Sequence, residues 1–90
     1  MTSMTQTQDD AAAQIAVLRG QIDALDTAIM RLVAERAALS LRVQAARMNT
    51  GGTRVELGRE RVIMSAYRDA LGPQGPALAD AVLQVCRGIR

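Results

Sequence analysis

The feature that most constrains the fold is a row of apolar residues with helical heptad spacing between Asp10 and Asn49. Two aliphatic series fall at the two inward positions of this heptad. They are Ile15, Ile22, Ile29 and Val43, and Leu18, Leu25, Leu32, Leu39 and Ala46. A helix of about 40 residues is roughly 60 Å long, more than the rest of so short a chain can cover. The pattern therefore predicts a long helix that packs against a second subunit.

The composition of the 90 residues favours an all-α fold, since Ala, Leu, Gln, Arg, Glu and Met are abundant, Phe and Trp are absent and Pro occurs only at Pro73 and Pro76. Start and stop signals along the chain predict three helices per subunit. We expect a disordered polar tail at residues 1–9 and a single helical domain at residues 10–90. Asp9 or Asp10 can cap the first helix, because negative charge is favourable at a helix N-terminus. The run from Asn49 to Gly52 is expected to end it.

Two shorter helices are predicted after a loop from Thr53 to about Gly58. The second ends at Leu71, because Gly72 and Pro73 supply a cap and a stop. Its expected inner face is Val62, Ile63, Ala66, Tyr67, Ala70 and Leu71. The third helix starts at Gly75-Pro76. Its expected apolar contacts are Leu78, Val82, Leu83, Val85 and Cys86.

Several residue types exclude classes of function. The chain has no His, which excludes histidine acid/base chemistry and histidine metal ligands. The single cysteine, Cys86, is expected to be a core residue in a reducing compartment. Residues 1–8 lack the basic start and apolar run of a signal peptide, and no apolar run approaches the roughly 20 residues that span a bilayer. We expect a cytoplasmic protein.

Arg36 interrupts the apolar row, and a buried guanidinium costs several kcal/mol unless it meets an anion. Arg47 lies about three turns further on and faces nearly the same side, with Ser40 between them. The three residues indicate a pocket for an anion with two acidic groups. The alternative is a structural ion-pair network. Its acidic members would be Glu60, Glu56 or Asp26.

Arg19 lies beside the apolar row, roughly 26 Å from Arg36 along one helix axis, so the two cannot hold one small ligand within a subunit. An antiparallel partner helix that crosses near Thr27 would place Arg19 of one chain opposite Arg36 of the other, with two identical sites per dimer. The alternative is an exposed Arg19 that pairs with Asp23 at i+4.

Five separated motifs carry a family resemblance. They are Leu18-Arg19-Gly20-Gln21-Ile22-Asp23-Ala24-Leu25-Asp26, Glu35-Arg36, Arg47-Met48, Gly51-Gly52-Thr53-Arg54 and Arg59-Glu60. Over about Ile15 to Gly88 the chain closely resembles the all-helical chorismate mutases, in particular the short actinobacterial subclass. The resemblance implies an intertwined homodimer that converts chorismate to prephenate, the branch step toward phenylalanine and tyrosine. This Claisen rearrangement needs no nucleophile, proton transfer, metal or cofactor.

The resemblance also implies site residues. The implied catalytic residues are Arg47, near the ether oxygen, and Glu60, on the ring hydroxyl. The implied substrate-binding residues are Arg19 of the partner chain, Arg36, Arg59, Glu56 and Ser40. Better-studied members carry a Gln on the last helix, whereas Gln84 falls elsewhere in this chain.

A protein partner is implied as well, since the short subclass is stimulated by DAHP synthase. The contacts would involve the loop after the first helix and the C-terminus, about 50–58 and 87–90 here.

Other functions stay open on the residues alone. Isochorismate pyruvate lyase and aminodeoxychorismate mutase would use the same fold and much the same Arg set. A non-catalytic helical adaptor or a nucleic-acid module is suggested by the apolar row and a pI near 9.5. Nucleic acid is disfavoured, because Arg alternates with Asp and Glu and Tyr67 is the only aromatic residue. An adaptor would be expected to carry an aliphatic residue at position 36.

Overall fold

The computed structural model describes residues 4–50 and 56–88, which form three helices. They are α1 (Met4–Thr50), α2 (Leu57–Leu71) and α3 (Gly75–Arg87). Neither described range contains a strand, so the predicted all-α class is confirmed. None of the described helices is long and apolar enough to cross a membrane. The chain divides into two compact units, one ending at Arg31 and the other starting at Leu32.

Helix α1 begins earlier than the sequence analysis predicted. Met4 to Asp9, placed in a disordered tail, are helical, and Asp9 and Asp10 lie inside the helix instead of capping it. No Pro or Gly lies between Met4 and Asp10, so this stretch contains no residue that stops a helix. The helix ends at Thr50, inside the predicted run. Gly51 and Gly52 lie outside the described residues.

The apolar row in the first unit is exposed in the single chain. Ile22, Leu25 and Ile29 are each more than half exposed, at 55%, 64% and 56%. Contiguous exposed apolar surface of this kind marks an interaction site in a water-soluble protein. The exposure fits the expected second subunit, and the dimer itself stays a prediction.

In the second unit, α3 packs against α2 through one face. The buried residues of α3 are Gly75, Ala79, Leu83 and Cys86. They follow one another at intervals of three or four residues, which places them on one side of a helix. The predicted core positions Leu83 and Cys86 are therefore confirmed, and Val82 is partly buried. Leu78 and Val85 are about half exposed because they fall outside this row, so they are not part of the buried face of α3, and the apolar contacts expected of them stay a prediction.

The inner face of α2 was predicted only in part. Ile63 and Tyr67 are partly buried as expected, together with Met64, which the analysis had left out. The other four predicted positions are exposed: Val62, Ala66, Ala70 and Leu71. A single neighbouring helix, α3, covers a narrower stripe of α2 than the sequence pattern offers, and α2 has no fully buried residue.

The turn between α2 and α3 follows the predicted signals. Gly72 has φ 85°, a region that favours glycine, and its N–H donates to the carbonyl oxygen of Arg68 over 2.8 Å. Pro76 occupies the first turn of α3. At Gly75, a Cβ atom would lie 2.3 Å from the carbonyl oxygen of Tyr67. The start of α3 therefore approaches the α2 backbone at a distance that only glycine permits.

We predict that Gly75→Ala destabilises the chain by about 1–3 kcal/mol, because the added methyl group must push the two helix backbones apart. Chemical denaturation of the purified variant measures the loss. Gly20→Ala is the matched control, since beyond its chain neighbours and the nearby backbone of its own helix no atom lies within 4 Å of its Cβ position. It should stabilise the helix by about 0.5–1 kcal/mol. Equal stability of wild type and Gly75→Ala would contradict the close approach.

Candidate functional site

A pocket of about 280 Å³ lies within the second unit, at the lower end of the size range of ligand sites. All three helices contribute to it. Its charged and polar lining residues are Arg36, Ser40, Gln44, Arg47, Glu56, Arg59, Glu60 and Arg87. Its apolar lining residues are Leu39, Val43, Ile63, Leu83 and Cys86. The pocket thus combines an apolar wall with a dense set of charges.

One face of α1 supplies the first group of charges. Arg36, Ser40 and Arg47 all line the pocket, as their spacing of four and seven residues predicted. All three are partly buried. Gln44 lines the pocket too and was missed, although it lies one turn beyond Ser40 on the same face.

The start of α2 supplies the second group. Glu56 is the N-cap residue, and its carbonyl oxygen accepts a hydrogen bond from the N–H of Glu60 over 3.1 Å. This first turn carries Glu56, Arg59 and Glu60 to the pocket. The structure therefore brings together six of the seven predicted site residues. The seventh, Arg19, is exposed and belongs to the first unit.

Arg47 and Glu56 form an ion pair, with Nη2 of Arg47 2.6 Å from Oε2 of Glu56. This pair was one member of the structural network considered above. The Glu56 side chain is 53% exposed, so the pair contributes little to stability. Its effect is on geometry, because a carboxylate partner restricts where the Arg47 guanidinium points.

Arg36 and Arg59 differ from Arg47 in their ion pairing. Within residues 4–50 and 56–88, neither guanidinium has a carboxylate partner. Asp26, considered as a partner, belongs to the first unit. Arg19 likewise makes no ion pair with Asp23 in the described part of the chain. The pocket therefore presents two cations that are available for an anionic ligand.

Arg87 is a second polar site residue, after Gln44, that was not predicted from the sequence. It lies in the last turn of α3, and its Nη2 donates to both carboxylate oxygens of Glu60. A signal for it exists, since Arg87 lies one turn after the buried Leu83. Gln84 is exposed and donates to Oδ2 of Asp80 over 2.8 Å. It is not among the described lining residues, in line with the sequence analysis.

The charges of the site define the ligand it can hold. Among its described lining residues, four Arg and two Glu give a formal charge of +2. Arginine guanidinium groups bind carboxylates bidentately and stay charged at any working pH. The fold and the pocket thus define an all-helical protein with an arginine-rich pocket that favours an anionic ligand.

Comparison with known proteins identifies the family. The family model described as chorismate mutase type II matches residues 18–89. The intracellular chorismate mutase of Mycolicibacterium smegmatis is 42% identical over 79 residues, which are 88% of this chain and 76% of that protein. The intracellular chorismate mutase of Mycobacterium tuberculosis is 43% identical over 75 residues, 83% of this chain and 70% of that protein. The chain belongs to the type II chorismate mutases.

A solved structure agrees with this assignment. It is described as a non-covalent complex of DAHP synthase and chorismate mutase from Corynebacterium glutamicum with a bound transition state analog. The match has a TM-score of 0.82 and 36% sequence identity, and covers 89% of this chain and 96% of the other. The three-helix architecture is thus shared with a protein of known structure.

Proposed function

We propose that the pocket in the second unit converts chorismate to prephenate. The observation that carries the proposal is the formal charge of +2 on a pocket with an apolar wall, in a chain without His. The rearrangement is intramolecular, so the protein has to hold a dianion in its folded, reactive conformer and direct positive charge at the ether oxygen. Positioning and electrostatic preorganisation supply this kind of catalysis.

Arg36 is proposed to bind a carboxylate of the substrate. It is partly buried on α1 and has no carboxylate partner among the described residues. A ligand carboxylate offsets the cost of burying this guanidinium and fits its planar arrangement of donors. The second carboxylate is assigned to Arg19 of a second copy of the chain. The exposed apolar row around Ile22, Leu25 and Ile29 supports such a copy.

Arg47 is proposed to stabilise the negative charge that develops on the ether oxygen. Its ion pair with Glu56 orients the guanidinium before substrate binds. A guanidinium carries five N–H donors in a rigid planar arrangement, so fixing one of them fixes the direction of the others. Donors that are already oriented need no reorganisation as the C–O bond breaks, which lowers the barrier.

Glu60 is proposed to accept a hydrogen bond from the ring hydroxyl of the substrate. Its side chain is 18% exposed and lines the pocket beside Arg59. Arg59 and Ser40 complete the substrate-binding surface, on α2 and α1 respectively. The apolar lining residues reduce the water around the reacting bonds, which strengthens the charge interactions in the site.

We place the activity in the cytoplasm. The mycobacterial relatives carry the word intracellular in their names. The buried, free thiol of Cys86 is consistent with a reducing compartment.

Replacing Arg47 tests the catalytic assignment. We expect the purified wild-type chain to form prephenate from chorismate and Arg47→Ala to lower kcat by about 10²–10³, with a smaller change in KM. The reason is that Arg47 meets charge that exists only in the transition state. Steady-state kinetics on chorismate measure both constants.

Arg42→Ala is the control for that experiment, because Arg42 is an exposed arginine of α1 outside the described pocket lining. It should leave kcat unchanged. An unaltered kcat in Arg47→Ala would remove Arg47 from the ether-oxygen role. No prephenate from the wild type would direct the search to isochorismate and aminodeoxychorismate.

DAHP synthase is the protein partner that we propose for this chain. The support is the solved complex from Corynebacterium glutamicum, in which a chorismate mutase is associated with that enzyme. The segments expected to meet the partner are 50–58 and 87–90. Of these, 51–55 and 89–90 lie outside the described residues. Glu56 and Arg87 belong to these two segments, lie within the described residues and line the pocket. A partner that contacts either residue would therefore reach the site directly.

We predict that the DAHP synthase of the same organism raises the kcat/KM for chorismate when it is added to the purified chain. Contact near Glu56 and Arg87 would reduce the remaining motion of their two ion pairs and of the pocket. Titration of the partner at fixed chain concentration measures the effect, with serum albumin as the control protein. A rate that does not change at saturating DAHP synthase, with binding verified by calorimetry, would reject regulation by this partner.

A further inference from the structure

The proposed function leaves one contact in the site unexplained, the ion pair between Arg87 and Glu60. One nitrogen of Arg87 donates to both oxygens of the Glu60 carboxylate, across 27 residues of sequence. The side chains are only 23% and 18% exposed, so solvent screens this pair less than a surface pair. Both residues line the pocket.

The backbone that carries Arg87 is held at a defined end of α3. Gly88 adopts the left-handed conformation, with φ 67° and ψ 34°, and its N–H donates to the carbonyl oxygen of Val85 over 3.1 Å. This terminates the helix directly after Arg87. A cation in the last turn is also favoured by the helix dipole. Arg87 is thus presented to Glu60 by a capped helix end.

Glu60 needs such a partner for an electrostatic reason. A carboxylate in a pocket for a dianion repels the ligand, and this repulsion is strong where burial limits screening. Arg87 offsets that charge: without it, the formal charge of the described lining would fall from +2 to +1. The contact with both oxygens also restricts rotation of the carboxylate about its terminal bond.

We infer that Arg87 is a positioning residue of this site, which orients the Glu60 carboxylate toward the substrate hydroxyl and offsets its repulsion of the dianion. The inference rests on the proposed function of the pocket. It assigns Arg87 a role that is exerted through Glu60 and requires no contact between Arg87 and the substrate.

A double-mutant cycle on chorismate turnover tests this assignment, with wild type, Arg87→Gln, Glu60→Gln and the double variant. Loss of a charged hydrogen bond predicts that Arg87→Gln lowers kcat/KM by about tenfold to a hundredfold. In the Glu60→Gln background the same replacement should change kcat/KM by less than about twofold, because the group through which Arg87 acts is gone.

Two further variants distinguish a positioning role of Arg87 from an effect of its replacement on folding. Arg61→Gln removes the same charge from an exposed position of α2 outside the described lining, and should keep wild-type kinetics. Arg87→Lys keeps the charge and should recover part of the activity lost in Arg87→Gln. Thermal unfolding of each variant verifies that it is folded. If Arg87→Gln is unfolded, the cycle is run with Arg87→Lys, whose smaller loss should likewise vanish in the Glu60→Gln background.

Three results would overturn the inference. Equal fold-losses in both backgrounds would show that Arg87 acts independently of Glu60, and no loss in either would show that it has no role. A gain in activity for Arg87→Gln would show that the ion pair obstructs the site. These outcomes presuppose an active wild type, whereas absence of prephenate from both wild type and Arg61→Gln would reject the proposed function itself.

Discussion

The structure depends on a positive charge placed in an otherwise apolar helical row. Arg36 lies where the heptad pattern calls for an aliphatic residue, and its side chain is partly buried. A partly buried guanidinium keeps some contact with water, and an accompanying anion stabilises it further. The described residues supply no carboxylate for it. In the proposed function the ligand supplies this anion, and Arg36 lines the pocket assigned to it.

The four arginines of the described pocket lining divide into two pairs with different roles. Arg47 and Arg87 are held by Glu56 and Glu60 and are oriented before any ligand arrives. Arg36 and Arg59 have no such partners there and account for the net positive charge. In the proposed function, the first pair provides preorganisation and the second provides attraction for a dianion. This division suits a reaction whose barrier is lowered by fixed charges and that involves no proton transfer.

Local sequence signals predicted the parts of the fold that depend on local chemistry. Gly72-Pro73 and Gly75-Pro76 located the turn between α2 and α3, because glycine conformation and proline geometry act over a few residues. Helical spacing likewise placed Arg36 and Arg47 on one face. Burial was predicted less well: Leu78 and Val62 fit an apolar pattern but lie outside the narrow contact between two helices. Arg87 was missed because its partner is 27 residues away, and such pairings depend on tertiary packing.

The central claim is that this pocket holds the transition state by fixed charges from three helices and a second copy of the chain. A crystal structure of the chain with a stable dicarboxylate analogue of the transition state tests it most directly. The account predicts the analogue in the pocket, with its carboxylates on Arg36 and on Arg19 of a second copy, Arg47 at the ether oxygen, and Glu60 still paired with Arg87. An analogue bound elsewhere, or bound in the pocket without contact to Arg36 and Arg47, would contradict it.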